Sequence, residues 1–219
     1  MEKQFPYIKN YMDVQQAYNN WAAQYDTNDN KTRDLEAVAL RQTLTGIDVE
    51  SCLEIGCGTG KNTQWLVTKA DRVTAIDLSD EMLAKAKEKL TAGNVRFQQA
   101  DITGEWNFAD APYELVSFSL VLEHIADLDA IFKKVAAVTA SNGYVYIGEL
   151  HPFKQYTGTK ARFETAEGQQ IVTCYIHHIS DFLQAATHNG FVLAAVNEYF
   201  DSDDKATIPR ILSILLRKP

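Results

Sequence analysis

Glu54, Gly56, Gly58 and Gly60 stand in the stretch SCLEIGCGTGKNT, residues 51–63, with the spacing E-x-G-x-G-x-G. A short apolar run precedes them and a segment able to open a helix follows. Glycine adopts φ values closed to other residues and lets a ligand lie against bare backbone. Three spaced glycines exceed what a tight turn needs. The dinucleotide fingerprint reads G-x-G-x-x-G instead, so this loop implies a related but different ligand. Asp77, in AIDLS (75–79), follows about 20 residues on, where a carboxylate can accept hydrogen bonds from both hydroxyls of a ribose. Asp101, in FQQADI (97–102), can accept from an adenine amino group, and a solvated loop aspartate fits its position nearly as well. His124 in LEHI (122–125) and His151 in ELHPF are candidates for proton transfer; for His124, a histidine bonded to backbone is an equal reading. His177 and His178 are adjacent, so an extended chain points them apart, without metal-pair spacing.

These residues need elements to position them. SCLEI (51–55), RVTAID (72–77), NVRFQQA (94–100), YELVSFSL (113–120) and GYVYIGEL (143–150) read as short buried strands. Between them SDEMLAKAKEKL (79–90) has a capping Ser79, acids in its first turn, and Met82, Leu83, Ala86 and Leu90 on one face. LDAIFKKVAAVTASNG (128–143) repeats the helical pattern and ends at an Asn-Gly stop. Strands alternating with helices predict parallel pairing through right-handed crossovers. The expected fold is α/β, an open and mostly parallel twisted sheet with helices on both faces. Ligands of such sheets bind beyond the carboxyl ends of the strands. The glycines then fill the turn after Ile55, and a helix starting near Lys61 or Asn62 would offer its free N–H groups to an anion.

The bulk composition narrows the partners. The chain has 219 residues, 46% hydrophobic and 23% charged, and a net charge of −8. That length supports one domain with a substantial core. The acidic balance argues against general affinity for nucleic acid or anionic membranes. No stretch nears the roughly 18 apolar residues of a membrane span, and MEKQFPYIKN lacks a signal peptide's apolar run. Cys52, Cys57 and Cys174 form no C-x-x-C pair, so neither a disulfide framework nor a metal site is expected. A cytoplasmic protein without nucleic acid or membrane partners follows, with monomer and homodimer both open.

LEIGCGTGKNT, AIDLSDEML, QADI and ELVSFSLVLEHI together resemble the successive motifs of the class I S-adenosylmethionine-dependent methyltransferases of small-molecule type, over about residues 51–150. YNNWAAQYD (18–26) resembles the helix that precedes their core. SDFLQAATHNGF (180–191), with Ser180 as cap, and the two strands VLAAVNEYF (192–200) and PRILSILLR (209–217) resemble their ending, in which the last strand is inserted antiparallel. The resemblance implies one domain over 1–219: a helical cap (1–50), a cofactor-binding core (51–150), a substrate-lid insertion (151–178) and the rest of the sheet (179–219). It implies S-adenosyl-L-methionine as cofactor, held by Tyr25, Glu54, Gly56, Cys57, Gly58, Gly60, Asp77, Leu78, Met82, Asp101, Ile102, Ser119 and Leu120. Glu54 would order the loop and the cofactor's amino end. Asp77 would hold the ribose, and Leu78, Met82, Asp101 and Ile102 the adenine. Ser119 and Leu120 would present backbone to the methionyl group. Glu114 stands where many members have Asp, at the far end of its strand.

A sulfonium donor is already activated, so the protein must chiefly align an acceptor and exclude water. A base is needed only for a protonated hydroxyl or ammonium. His124 and His151 are the catalytic candidates, His151 also as an acceptor contact. The insertion HPFKQYTGTKARFETAEGQQIVTCYIHH (151–178) is aromatic, with a Glu-Gly turn between two β-prone runs that predicts a hairpin lid. Tyr18, Trp21, Tyr156 and Arg162, the last for a carboxylate, are the candidate contacts to a small-molecule acceptor. The expected activity is methyl transfer to an O, N or carboxylate of that molecule. A nicotinamide-dependent oxidoreductase and a non-catalytic S-adenosylmethionine-binding module are the alternatives, the former weakened by glycine spacing and the double C-terminal strand.

Overall fold

The computed structural model describes residues 11–110, 112–165 and 168–219. Its strands are β1 (Tyr11–Met12), β2 (Val49–Ile55), β3 (Ala70–Asp77), β4 (Val95–Gln99), β5 (Tyr113–Ser119), β6 (Thr139–Leu150), β7 (Arg162–Thr165), β8 (Gly168–Val172), β9 (Val192–Tyr199) and β10 (Ile211–Arg217). Its helices are α1 (Val14–Trp21), α2 (Lys31–Thr43), α3 (Thr63–Leu66), α4 (Asp80–Lys89), α5 (Leu128–Val138), α6 (Pro152–Tyr156) and α7 (Ile179–His188), with one 3-10 turn at Leu122–His124. Seven strands form one sheet in the order β4-β3-β2-β5-β6-β10-β9. The pairs from β4 through β6 are parallel, and β10 runs antiparallel to both β6 and β9. The expected α/β sheet with its inserted antiparallel strand is therefore present.

The sheet is buried on both faces because successive strand residues point to opposite sides. Leu53, Val116, Val145, Ile147 and Ile214 join one cluster with Ile131, Phe132 and Phe182. Their neighbours Cys52, Leu115, Tyr146 and Leu215 join another with Leu40, Leu66 and Leu83. A third cluster joins Ala17, Trp21 and Ala22 to Met82 of α4 and to Phe163 and Val172 of the β7–β8 hairpin. That cluster packs α1 and the β7–β8 hairpin against α4. The expected hairpin forms, β7 antiparallel to β8, and β1 adds to β8 in parallel. Ala166 and Glu167, at its tip, and residues 1–10 of the cap lie outside the described residues. No helix among the described residues is long and apolar enough to cross a membrane.

Three local expectations are corrected. The helix read over 128–143 stops at Val138. Thr139 turns extended, with its hydroxyl donating to Val135 O at 2.7 Å, and Asn142 at φ 65° lies inside the irregular start of β6 instead of capping a helix. The cap of α7 is His178, not Ser180: the Asp181 carboxylate accepts from His178 N at 2.7 Å and closes the first turn from behind. Finally, α3 is a single turn from Thr63 to Leu66, too short to supply the helix N-terminus expected at Lys61 or Asn62 as an anion site.

Candidate active site

The glycine loop leaves β2 and is pinned at once: Gly56 and Cys57 N–H groups both donate to Ile76 O of β3, at 2.8 and 2.9 Å. Gly56, Gly58 and Gly60 have φ of 73°, 53° and 83°, the left-handed region that favours glycine. Their surroundings divide them by role. A Cβ on Gly56 would lie 2.2 Å from Val121 Cγ2, and one on Gly60 would lie 2.9 Å from Leu90 Cδ1 and 3.2 Å from Ala86 Cβ. At Gly58 nothing stands within 4 Å. Gly60 is a packing glycine against α4, whereas Gly58 faces open space.

That space is a cavity of about 250 Å³ beyond the strand ends, lined among others by Gly56, Gly58, Asp77, Ile102, Ser119 and His124. Asp77, at the end of β3, accepts from Gly58 N at 2.7 Å and from Ser79 N at 2.8 Å. Its carboxyl is partly buried at the cavity wall and raised above the usual carboxylate range by desolvation, which the backbone donors oppose. Each oxygen keeps a lone pair for a further donor. Leu78 and Ile102 supply apolar walls, and Asp101 sits at the rim with Thr103 N and Oγ1 on its Oδ1. Leu120, at φ 59°, is a non-glycine residue held left-handed beside the cavity, with its N–H on Gly148 O at 2.8 Å. Glu149 secures that loop from beneath: its Oε1 accepts from Val121 N at 3.0 Å and Leu122 N at 2.8 Å.

The cap closes the cavity with Tyr18 and Tyr25. Thr59 of the glycine loop donates to Asp26 Oδ1 at 2.6 Å, and Lys89 pairs with the same carboxylate, so the segment after α1 is tied to the loop and to α4. Tyr18 OH meets His124 Nε2 at 2.9 Å, and His124 Nδ1 meets Thr173 O at 2.8 Å. A carbonyl oxygen only accepts, so Nδ1 carries the proton and Nε2 accepts from the tyrosine. In that tautomer the basic nitrogen faces a cavity-lining phenol.

Of the residues singled out in the sequence, Tyr18, Tyr25, Gly56, Gly58, Asp77, Leu78, Asp101, Ile102, Ser119, Leu120 and His124 line this one cavity. The others are placed elsewhere. Glu54 is buried behind the loop, accepting from Thr63 Oγ1 at 2.5 Å, with its pKa pushed up to about 8 by burial. Cys57 and Met82 are buried in packing clusters, and Gly60 packs as described. Trp21 stacks on Phe163, centroids 5.2 Å apart, and lines a separate depression with Arg33 and Arg162. Tyr156 is half exposed and bonds to His178. His151 is fully buried and committed: Nδ1 accepts from Phe153 N at 3.2 Å to cap α6, and Nε2 meets Glu198 Oε1 at 3.0 Å. Its pKa is lowered by desolvation against the pull of Glu198. His151 is a structural cap, removed from the cavity lining.

Sequence reasoning missed Glu36 of α2. It is buried, accepts from Tyr146 OH at 3.0 Å and Asn62 Nδ2 at 2.8 Å, and is pushed up to about 7 by burial. Asn62 in turn lies 3.2 Å from Ser119 Oγ at the cavity wall. The signal was a glutamate one residue before the Ala37–Leu40 core face of α2.

Residues 53–147 match a family model described as a methyltransferase domain. The chain is 26% identical to an uncharacterized methyltransferase of Emericella nidulans, over 85% of this chain and 78% of that one. It is 26% identical to a Listeria monocytogenes structure described as an S-adenosylmethionine-dependent methyltransferase, with TM-score 0.71 over 85% of this chain and 99% of that one. The structure of DhpI with SAH has TM-score 0.73 at 25% identity, over 93% and 94% of the two chains. The fold and the domain matched over residues 53–147 are those of the class I S-adenosylmethionine-dependent methyltransferases. S-adenosylmethionine is accordingly the cofactor, and the cavity fits it: Gly58 offers bare backbone with open space beside it, next to a carboxylate suited to ribose hydroxyls. This methyltransferase is also 28% identical to the ubiquinone biosynthesis O-methyltransferase of Nitrosomonas europaea, over 50% of this chain. It spans about half the length of that relative, 48%.

Proposed function

We propose that this methyltransferase transfers a methyl group to an O–H or N–H of a small organic molecule that enters between the cap and the lid hairpin. The observation that carries the reading is the Tyr18–His124 pair, a proton acceptor with its basic nitrogen turned to the cavity. Several relatives are named O-methyltransferases, which agrees with an oxygen acceptor.

S-adenosylmethionine supplies an electrophilic methyl on a sulfonium, so the chain's own task is positioning and proton removal. Gly58, Asp77 and Leu78 would hold the nucleoside, and the left-handed Leu120 presents backbone on the opposite wall. Tyr18 accepts the acceptor's proton at its oxygen while its own proton moves to His124 Nε2. Burial holds the Tyr18 phenol well above its ordinary pKa, so it relays a proton without resting as phenolate. The imidazolium formed keeps its Nδ1–H on Thr173 O and has the Glu123 carboxylate 3.9 Å from Nε2. Stacked aromatics of the cap keep water from the site.

The test is turnover with labelled S-adenosylmethionine against phenols, aliphatic alcohols, amines and carboxylates of drug-like size. Methylation of a hydroxyl or amine, lost in His124→Gln while SAH binding persists, supports the reading. Turnover confined to carboxylates, or untouched by His124→Gln, overturns it.

A further inference from the structure

Cys174 follows β8 and lies 50 residues from His124, with no spacing in the sequence to mark a metal site. The fold nevertheless closes the segment after the lid hairpin onto the 3-10 turn at Leu122–His124. Tyr175 N donates to Glu123 O at 2.7 Å, and His177 Nε2 meets Ile125 O at 2.7 Å. Three different ligand types meet there: ligand atoms of Glu123, His124 and Cys174 all lie within 4.8 Å of one another. Cys174 Sγ is 3.8 Å from His124 Nδ1, and Glu123 Oε1 is 3.9 Å from His124 Nε2. Glu123 is only 6% exposed, and its Oε2 is buried with no hydrogen-bond partner among the described residues. A buried carboxylate oxygen left without a donor costs free energy that a bound cation would recover.

We propose that Glu123, His124 and Cys174 form a binding site for a thiophilic divalent cation, zinc above all, and that its occupation switches methyl transfer off. The donor set of thiolate, imidazole and carboxylate is one zinc prefers, and magnesium or calcium does not. Bonds of about 2.0–2.3 Å in a tetrahedron set ligand atoms roughly 3.5 Å apart, so three ligand atoms within 4.8 Å close on an ion, held through one of the two ring nitrogens, by side-chain shifts on the order of an ångström. The switch follows from the ring itself. A cation on His124 Nε2 displaces Tyr18 and occupies the basic nitrogen. A cation on Nδ1 forces the remaining proton to Nε2, which then can only donate. Either way His124 no longer accepts a proton from the cavity. The ion also fastens the segment after the lid to the cavity floor through Cys174. Cysteine binds zinc as thiolate, so occupation of the site expels the Cys174 proton to solvent.

The inhibitory half of this proposal rests on the proton-accepting role of His124; the binding half does not, and the experiment separates them. The purified chain is titrated with Co²⁺, read by thiolate-to-cobalt absorption, then with Zn²⁺ to displace it. Calorimetry in two buffers of different ionisation enthalpy counts the protons released. A one-to-one thiolate band, about one proton released, and a Zn²⁺ affinity that falls in Cys174→Ser and in Glu123→Gln are expected. The fall should exceed the roughly 10–100-fold that loss of an outer-shell partner costs. Melting temperatures of both variants show that they fold, and Zn²⁺ inhibition of turnover without displacement of SAH completes the case. Absence of the band at stoichiometric cobalt, or a band that survives Cys174→Ser, overturns the site. A band without zinc inhibition of an active enzyme overturns the switch, while a band on a chain with no turnover at all counts against the proposed function instead.

Discussion

Gly58 and Gly60 carry the same sequence signal and do different work, and a methyl group separates them. Each has positive φ, so alanine at either costs about 1–2 kcal/mol in backbone strain. At Gly60 the new methyl also meets Leu90 and Ala86, adding an overpacking cost of roughly 1–3 kcal/mol. Gly60→Ala is therefore expected to lower the melting temperature more than Gly58→Ala. Gly58→Ala should instead weaken SAH binding by about tenfold or more, because its methyl enters the cavity. Calorimetric titration and thermal melts of the two variants should rank in opposite orders; the same order for both would sink the distinction. Asp77→Ala removes the acceptor of two backbone N–H groups and, on the proposed binding mode, of the ribose hydroxyls. Hydrogen bonds to a charged group contribute about 1.5–3 kcal/mol, so SAH should bind roughly 10–150-fold more weakly. Tyr18→Phe breaks the proposed proton path and leaves the ring stacked on Trp21. It is expected to lower kcat with little change in SAH affinity, whereas equal loss of both would reduce Tyr18 to a packing residue.

At the scale of elements, the loop after β5 hangs on one carboxylate. Glu149→Ala leaves Val121 and Leu122 N–H groups without their acceptor and frees Leu120 from its left-handed conformation. The expected cost is on the order of 2–3 kcal/mol, with a matching loss of cofactor affinity measured by titration. Strands were legible in the sequence because burial on both faces concentrates apolar residues in β2, β3, β5 and β6, with Gly56 and Asp77 marking the ends of the first two. Much of the cavity lining was legible for a related reason: its groups end those strands, and chain order locates strand ends. The ends of α5 and α7 were not, because Thr139 bonding back to Val135 and Asp181 bonding back to His178 are choices between neighbouring cap residues that periodicity does not rank. His151 misled because the edge position it shares with His124 says nothing about Glu198, 47 residues on, which claims its second nitrogen. Glu36 and Cys174 were hidden for the same reason, since their partners come from distant elements.

For the whole molecule, the buried acids set how stability responds to pH. Burial pushes Glu36 up to about 7 and Glu54 and Glu149 up to about 8. Unfolded, these groups lose their protons near the ordinary glutamate value of about 4.3. Between there and pH 8 the folded chain holds more protons than the unfolded one, so stability falls as pH rises through that window. The lowered, more exposed Asp26, Asp110 and Asp201 act in the other direction but below it. Urea unfolding at pH 6 should thus give a higher midpoint than at pH 8, and Glu36→Gln should flatten the difference; a midpoint that rises with pH would refute this account. The order of the sheet carries a consequence of another kind, in the sequence of events by which the chain folds. β9 touches the rest of the sheet only through β10, which follows it in the chain. As the chain emerges from the ribosome, β9 has no strand to pair with until β10 has reached across to β6, a contact joining residues 144–150 to 211–217. Such non-local pairing is slow, so the amides of β9 should be the last of the sheet to gain protection from hydrogen exchange during refolding. Until then its Val192, Leu193 and Val196 are a bare, sticky edge, the part of this enzyme most exposed to chaperones and to aggregation.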